Sequence, residues 1–323
     1  MRYFASLILA LTMLCPSLAL AYDVLVVQSK HDPAYDKVLQ GFRAAFRHTE
    51  RMVVLSDYAE TDVVRIVRED RPGLVLAIGD NALAAAKKVH QTPVIAVMSL
   101  SVTNPSVNQP NLTGIGMYIQ PENYMAIFRK LKAHRIGVLY NPARSGWYLR
   151  QARQPAKQAG VELVLREVHN PKETLSKLSS LAGQVDALWM LPDTIAVTRE
   201  TAEAYFNFSQ KQRVPVVSFA SAYLGLGAAA VLEIKRGDLG RQAGELAASL
   251  LKGRADTDEI GFPDKVVLKT NQGVLKNLGI CPGEHDLCHL RSVDYACPRC
   301  DQNVRKLNGF LPFESAVLTG WPG

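Results

Sequence analysis

From Val24 onward, short apolar runs alternate with stretches whose apolar residues recur at i, i+3, i+4 and i+7, and the alternation repeats along most of the chain. The run Val24 to Val27 is followed by Tyr35, Val38, Leu39, Phe42, Ala45 and Phe46, which fall on one face of a helix. The pair recurs as Met52 to Leu55 with Val63 to Val67, and as Leu74 to Ile78 with Ala82 to Val89, before a fourth strand at Pro93 to Met98. Strand, helix and strand in this order form βαβ units, so the pattern predicts an α/β fold with parallel sheets covered by helices. A Ser-, Asn- and Pro-rich stretch, Ser101 to Asn111, reads as a loop before Leu112 to Met117 and closes the first doubly wound lobe.

A second series begins with a helix at Glu122 to Leu131. It continues with the strand Ile136 to Tyr140, a helix at Tyr148 to Ala159, the strand Val161 to Val168 and a helix at Leu175 to Leu181. The strand Ala187 to Leu191, a helix at Thr198 to Lys211 and the strand Val214 to Ser218 complete it. Later come a strand at Ala229 to Ile234, a helix from Leu239 to Leu251 stopped by Gly253, and a strand at Val266 to Leu268. The expected architecture is two doubly wound parallel-sheet lobes joined by a hinge. Residues 22–118 with 222–252 would form the first lobe, and 119–221 with 253–280 the second.

A chain of 323 residues has the length for two such cores. With 48% apolar and 21% charged residues, neither a disordered chain nor a polytopic membrane protein fits. The formal charge is +7, but the basic residues are scattered among acids and no recognition module accompanies them, so nucleic-acid binding is not expected. The N-terminus constrains the compartment. Arg2, the apolar stretch Phe4 to Leu14, Pro16 and the ending Ala19-Leu20-Ala21 make a secretory signal that is cleaved after Ala21. Its apolar part is too short to cross a bilayer. Leu14 before Cys15 argues against a lipidation site, and the mature protein is expected in the periplasm or otherwise exported.

In open parallel sheets, ligands bind beyond the carboxyl ends of the strands. Here those loops are Ser29 to Asp32, Gly79 to Asn81, Ser99 to Ser101, Asn141 to Trp147, Pro192 to Thr194 and Ser218 to Tyr223. Several segments in and near them resemble those of the two-lobed periplasmic substrate-binding proteins of ABC transporters. They are His31-Asp32-Pro33 followed by Gly41-Phe42, Gly79-Asp80-Asn81-Ala82, Asn111-Leu112-Thr113-Gly114, Ile136 through Pro142, Leu191-Pro192-Asp193 and Asn277-Leu278-Gly279. The resemblance spans Val24 to Ile280. It implies a periplasmic-binding fold of type I whose lobes close on a small molecule for delivery to an ABC permease in the inner membrane, with no chemistry done by the chain, which would act as a monomer. Some members look like binders of aromatic amino acids. This sequence carries Gly79-Asp80 where the family carries Gly-Thr, and Arg144-Ser145-Gly146-Trp147 where it carries an acid and then Asn-Ser.

The candidate ligand-binding residues are Asp80, Asn81, Ser99, Asn141, Arg144, Trp147, Asp193, Ser218 and Tyr223. Asp80 and Asn81 stand where a helix begins, so N-capping competes with contact to an ammonium or hydroxyl. Arg144 beside Trp147 can clamp a carboxylate or cover a planar group, or simply be solvated. Asp193 can reach the cleft or close a turn through its own side chain. An amino acid or close derivative is the expected ligand. The alternatives are a sensory module for a membrane receptor and an exported α/β hydrolase. The hydrolase lacks support: no catalytic constellation, no Gly-x-Ser-x-Gly elbow and no metal-ligand spacing occurs, and no cofactor is expected. Gly225-Leu226-Gly227-Ala228-Ala229-Ala230 has the form of a dinucleotide motif, but a strand follows it where the phosphate needs a helix. Cys281, Cys288, Cys297 and Cys300 fall in the tail 281–323. They could close two disulfides in any of three pairings or bind one Zn²⁺, unless a frame change produced an unselected tail.

Overall fold

A computed structural model describes residues 22–103, 109–253, 260–280 and 293–295. The expected signal, Cys15 and the four tail cysteines lie outside the described residues.

The strands begin with β1 (Val24–Gln28), β2 (Glu50–Val54), β3 (Leu74–Ile78), β4 (Val94–Val97) and β5 (Leu112–Ile115). The later ones are β6 (Arg135–Tyr140), β7 (Glu162–Glu167), β8 (Ala187–Trp189), β9 (Val216–Ser218), β10 (Ala230–Ile234), β11 (Ile260–Gly261), β12 (Val266–Thr270) and β13 (Val293–Tyr295). Among the described residues they form a six-stranded sheet in the order β11-β5-β4-β3-β1-β2 and a seven-stranded sheet in the order β13-β12-β10-β9-β8-β6-β7. Every pairing is parallel except β10 with β12. β1, β3, β4 and β5 are buried throughout, which is why they read as continuous apolar runs rather than as alternating ones.

Helices join the strands. In the first half these are α1 (Pro33–Ala45), α2 (Val63–Asp70) and α3 (Asp80–Ala86), followed by α4 (Pro121–Lys130) and α5 (Pro142–Ala159). The second half holds α6 (Thr174–Ser179), α7 (Arg199–Gln212), α8 (Ala222–Leu226), α9 (Arg236–Leu251) and α10 (Gln272–Asn277). α1 begins at Asp32, whose carboxylate accepts the Ala34 N–H at 2.8 Å, with Pro33 in the first turn. It buries Tyr35, Val38, Leu39 and Phe42, each worth about 1.5–3 kcal/mol of apolar burial. α9 lies directly against it. A Cβ at Gly240 would stand 1.8 Å from the Val38 carbonyl oxygen, so only glycine permits this approach.

The expected division of the chain needs two corrections. β10 pairs with β9, so residues 230–234 belong to the second sheet and not to the first-lobe span 222–252; only α9 from that span packs on the first lobe. β11 pairs with β5 in the first sheet, although it falls in the span 253–280 assigned to the second lobe. Strand pairing overrides sequence adjacency at both places. The segment after Gly225-Leu226-Gly227 is strand β10, as the phosphate argument required. In the tail, β13 runs parallel to β12 at the edge of the second sheet.

Candidate functional site

Both sheets have a topological switch point, between β1 and β3 in the first and between β6 and β8 in the second. There successive crossover connections leave in opposite directions, and the diverging loops open a crevice beyond the strand ends. The first crevice is built by Ser29 after β1 and by Gly79-Asp80 after β3. The second is built by Asn141 after β6 and by the 190–194 segment after β8. Asp80, Leu100 and Ser101 of the first lobe, Tyr118 of the connection from β5 to α4, and Arg144 and Thr194 of the second lobe line one cleft of about 50 Å³.

On the first wall, Asp80 does not cap α3. Gly79 is the cap residue, at φ +95, and a Cβ there would stand 2.3 Å from the Tyr35 hydroxyl. The Ala82 N–H in the first turn of α3 is taken by Ser29 Oγ at 2.9 Å, a cap delivered from the neighbouring strand. Freed from that duty, Asp80 Oδ1 accepts Ser99 Oγ at 2.5 Å, Ser101 N at 3.0 Å and Ser101 Oγ at 2.5 Å. Its carboxylate therefore holds the turn after β4 against the cleft, and all three donors converge on one of its two oxygens. Ser99 is fully buried in this arrangement and Asn81 is exposed. Tyr35 is buried beside Asp80, and burial, then the charges of Asp32 and Asp80, push its pKa up to about 12.

On the second wall, Asn141 is the N-cap of α5, accepting the Ala143 N–H at 3.1 Å while its Nδ2 donates to Val168 O at 2.9 Å. α5 thus starts at Pro142. Arg144 and Trp147, expected in a loop running to Trp147, are helical because Asn-Pro here is a cap followed by a first-turn proline. Arg144 is exposed on the cleft side. Trp147 is half-buried, donates from Nε1 to Arg144 O at 3.1 Å, and meets the Tyr118 ring edge-on at 5.0 Å.

Asp193 is fully buried and committed inside the second lobe. Its Oδ2 accepts Asn141 N at 2.7 Å and Ser145 Oγ at 2.5 Å, and its Oδ1 accepts Ile195 N at 2.9 Å and Ala196 N at 3.0 Å. The turn through its own side chain is therefore present, and the carboxylate also ties the start of α5 to the loop after β8. It positions Arg144 and leaves no oxygen for a ligand. Ser218 is likewise buried, donating to Met190 Sδ at 3.1 Å. Tyr223 packs on Phe206 and Phe219 at 6.0 and 5.3 Å. Neither lines the cleft.

Tyr118 is the residue that sequence reasoning missed. It lies on the first crossing between the sheets, is buried, and reaches Pro192 O of the second lobe with its hydroxyl at 3.3 Å. Burial, with a further contribution from Asp193, holds its pKa far above the ordinary phenol value. An aromatic residue in the short segment between β5 and Pro121 was the available signal. The assembled cleft thus has a carboxylate on one lobe, a guanidinium on the other and a phenol at the crossing. Among the described residues, no group of three or more His, Cys, Asp or Glu could hold a metal ion, and no helix is long and apolar enough to cross a membrane.

Residues 23–289 match the family described as ABC transporter substrate binding protein. A protein from Clostridioides difficile strain R20291 named tyrosine-binding protein is 24% identical over 278 residues, covering 78% of this chain and 79% of its own. The ligand-free, open structure of a substrate-binding protein with adhesive properties from Clostridium difficile superposes with a TM-score of 0.63 at 19% identity, over 84% of this chain and 98% of the other. The structure of an ABC domain in complex with L-Trp from Streptococcus pneumonia gives a TM-score of 0.58 at 20% identity, over 84% and 99%. The fold is that of the type I periplasmic binding proteins.

Proposed function

Since the chain belongs to the ABC transporter substrate-binding protein family, whose members bind solutes and are not enzymes, we propose that it captures an amino acid or close derivative between its lobes and delivers it to an inner-membrane permease after export. The observation that carries this reading is the polarity of the cleft. Asp80 on one lobe offers a free carboxylate oxygen to an ammonium, and Arg144 on the other offers a guanidinium fork to a carboxylate. A zwitterion is the small molecule that satisfies both at once. Tyr118, backed by Trp147, is an aromatic surface for the ligand's side chain, and the names of the relatives support an aromatic one.

The cleft's 50 Å³ holds a few waters and not an amino acid, so entry requires the lobes to part. The three crossings between the sheets among the described residues, after β5, β10 and β11, are where the chain would bend. A ligand then favours the closed arrangement only through its stronger contacts to both walls.

Thermal-shift screening of amino acids, sugars, polyamines and nucleosides, confirmed by calorimetry, tests the proposal. An amino acid, aromatic ones foremost, is expected to raise the melting temperature. Arg144→Gln and Asp80→Asn are each expected to weaken its binding about tenfold or more, the loss of one charge-assisted bond at about 1.4 kcal/mol. A sugar or nucleoside as the sole stabilising ligand, or unchanged affinity in both variants, would overturn the assignment.

A further inference from the structure

Five polar residues line the cleft, Asp80, Ser101, Tyr118, Arg144 and Thr194, and the protein itself uses the hydroxyls of two of them. Ser101 donates its hydroxyl proton to Asp80 Oδ1 at 2.5 Å, and Tyr118 donates its own to Pro192 O at 3.3 Å. Among the described residues, the side chains of Arg144 and Thr194 bond to nothing in the protein. What remains for a ligand is one acceptor on the first lobe, the second oxygen of Asp80, and two donors on the second lobe. The two donors are held as a pair. Arg144 lies in the first turn of α5 and Thr194 in the turn after β8, and Asp193 ties both places to one carboxylate. Its Oδ2 takes Ser145 Oγ, next to Arg144, at 2.5 Å, and its Oδ1 takes the N–H of Ile195, next to Thr194, at 2.9 Å. The same turn is closed by Val197 N donating to Asp193 O at 2.8 Å. Thr194 is thus a half-buried residue on a turn bonded at both ends, and its β-branched side chain has few rotamers open to it. A cleft of about 50 Å³ brings its hydroxyl and the Arg144 guanidinium within reach of a single functional group.

A ligand group that meets a guanidinium fork and a hydroxyl donor together must offer several lone pairs and no proton of its own. An ionised carboxylate is acceptor-only and takes both donors, whereas a carboxamide turns N–H groups toward them. We propose that Thr194 is a specificity-determining residue of this cleft, its hydroxyl and the Arg144 guanidinium forming a two-pronged receptor for a free carboxylate. The inference rests on the amino-acid reading of the cleft and narrows it. The solute keeps its carboxylate unblocked, so amino acids are accepted and their amides, esters and decarboxylated amines are turned away.

Calorimetry of the mature chain with L-tyrosine and L-tryptophan, and with tyramine and tryptamine, which lack only the carboxylate, tests the proposal. At least one of the amino acids is expected to bind, and its amine at least about tenfold more weakly. Thr194→Val, which removes the hydroxyl and keeps the shape, is expected to weaken amino-acid binding about tenfold, and Thr194→Ser to restore it to within about threefold. Because the hydroxyl bonds to nothing within the protein, the Tm of both variants should stay within about 2 °C of the parent. A larger fall would show the hydroxyl to be spent inside the protein and would overturn the proposal. Amino-acid affinity unchanged in Thr194→Val would overturn the role of Thr194 and leave the Asp80–Arg144 reading in place. Amines that bind as tightly as the amino acids, or that lose as much affinity in Thr194→Val, would overturn the carboxylate receptor. Binding of neither amino acid to the parent chain would overturn that reading and this inference together.

Discussion

Replacing Asp193 with alanine would separate two roles that a buried carboxylate near a cleft can have. The structure gives it four donors at 2.5–3.0 Å and no exposure. Three of these are backbone N–H groups, of Asn141, Ile195 and Ala196, which alanine would leave without an acceptor. Each orphaned donor costs about 1–3 kcal/mol, and the loss of a fully engaged buried charge costs about 3–5 kcal/mol, so the variant should be destabilised by about 3–5 kcal/mol. For a core of this size that is a fall in Tm of about 6–20 °C, read by circular dichroism. Asp193→Asn keeps an oxygen for Ile195 and Ala196 but points an amide donor at the Asn141 N–H. About half of the effect is expected from it. If Asp193→Ala melted within about 3 °C of the parent, the carboxylate would not be holding the loop, and the reasoning would fail. A variant of unchanged Tm that no longer bound solute would instead make Asp193 a ligand contact.

The mature protein is expected to begin at Tyr22; mass spectrometry of exported material that finds Met1, or a lipid on Cys15, would contradict this. A chain ending at Ile280 is expected to keep the folded core and solute binding, because it loses only the β13 edge pairing among the described residues; aggregation, or loss of binding that the full chain has, would make the tail structural. Stability should fall on the acid side. Burial raises the Asp186 pKa, but the Arg135 side chain at 2.9 Å and the backbone N–H groups of Arg135 and His134 outweigh it and hold the carboxyl below 3.8. Glu233 is lowered in the same sense: burial raises it, and the hydrogen bonds to Lys269 and Ser221 with the charges of Lys269 and Arg236 outweigh that. A folded pKa below the unfolded one means that this stabilisation is complete above about pH 5 and is lost as the pH falls through the folded values. Asp186→Asn should flatten that acid limb in urea titrations, and an unaltered limb would count against it.

The sheets were legible because parallel strands buried on both faces leave unbroken apolar runs, and helices with one buried face leave a period near 3.6. The candidate site was legible as a set of loops, and most of the cleft lining falls inside them. The functions of individual residues were not, since their partners are remote in sequence. Asp80 looks like a cap when only its neighbours are read; its actual donors, Ser99 and Ser101, lie 19 and 21 residues away. Asp193 looks like a turn residue, and half of its bonds confirm that, but the other half come from Asn141 and Ser145 at 52 and 48 residues. Asn141-Pro142 reads as a loop as readily as a helix start, and the choice decides whether Arg144 is on a rigid element. The placement of β10 could not be read locally at all, because a strand carries no label for the sheet it joins.

The close seat of α9 on α1 bears on how the molecule is made. Val38 and Phe42 of α1 meet the glycine face of a helix that ends at Leu251, so the N-terminal lobe cannot complete its cover until nearly all of the core sequence is available. A chain that leaves a membrane channel N-terminus first would therefore hold its first five strands under an unfinished roof while the second sheet assembles. Contacts of such long sequence separation form slowly. The first sheet also takes β11 from the far end of the core, so a fragment ending between Ile115 and Pro121 is expected to lack both its roof and its edge strand.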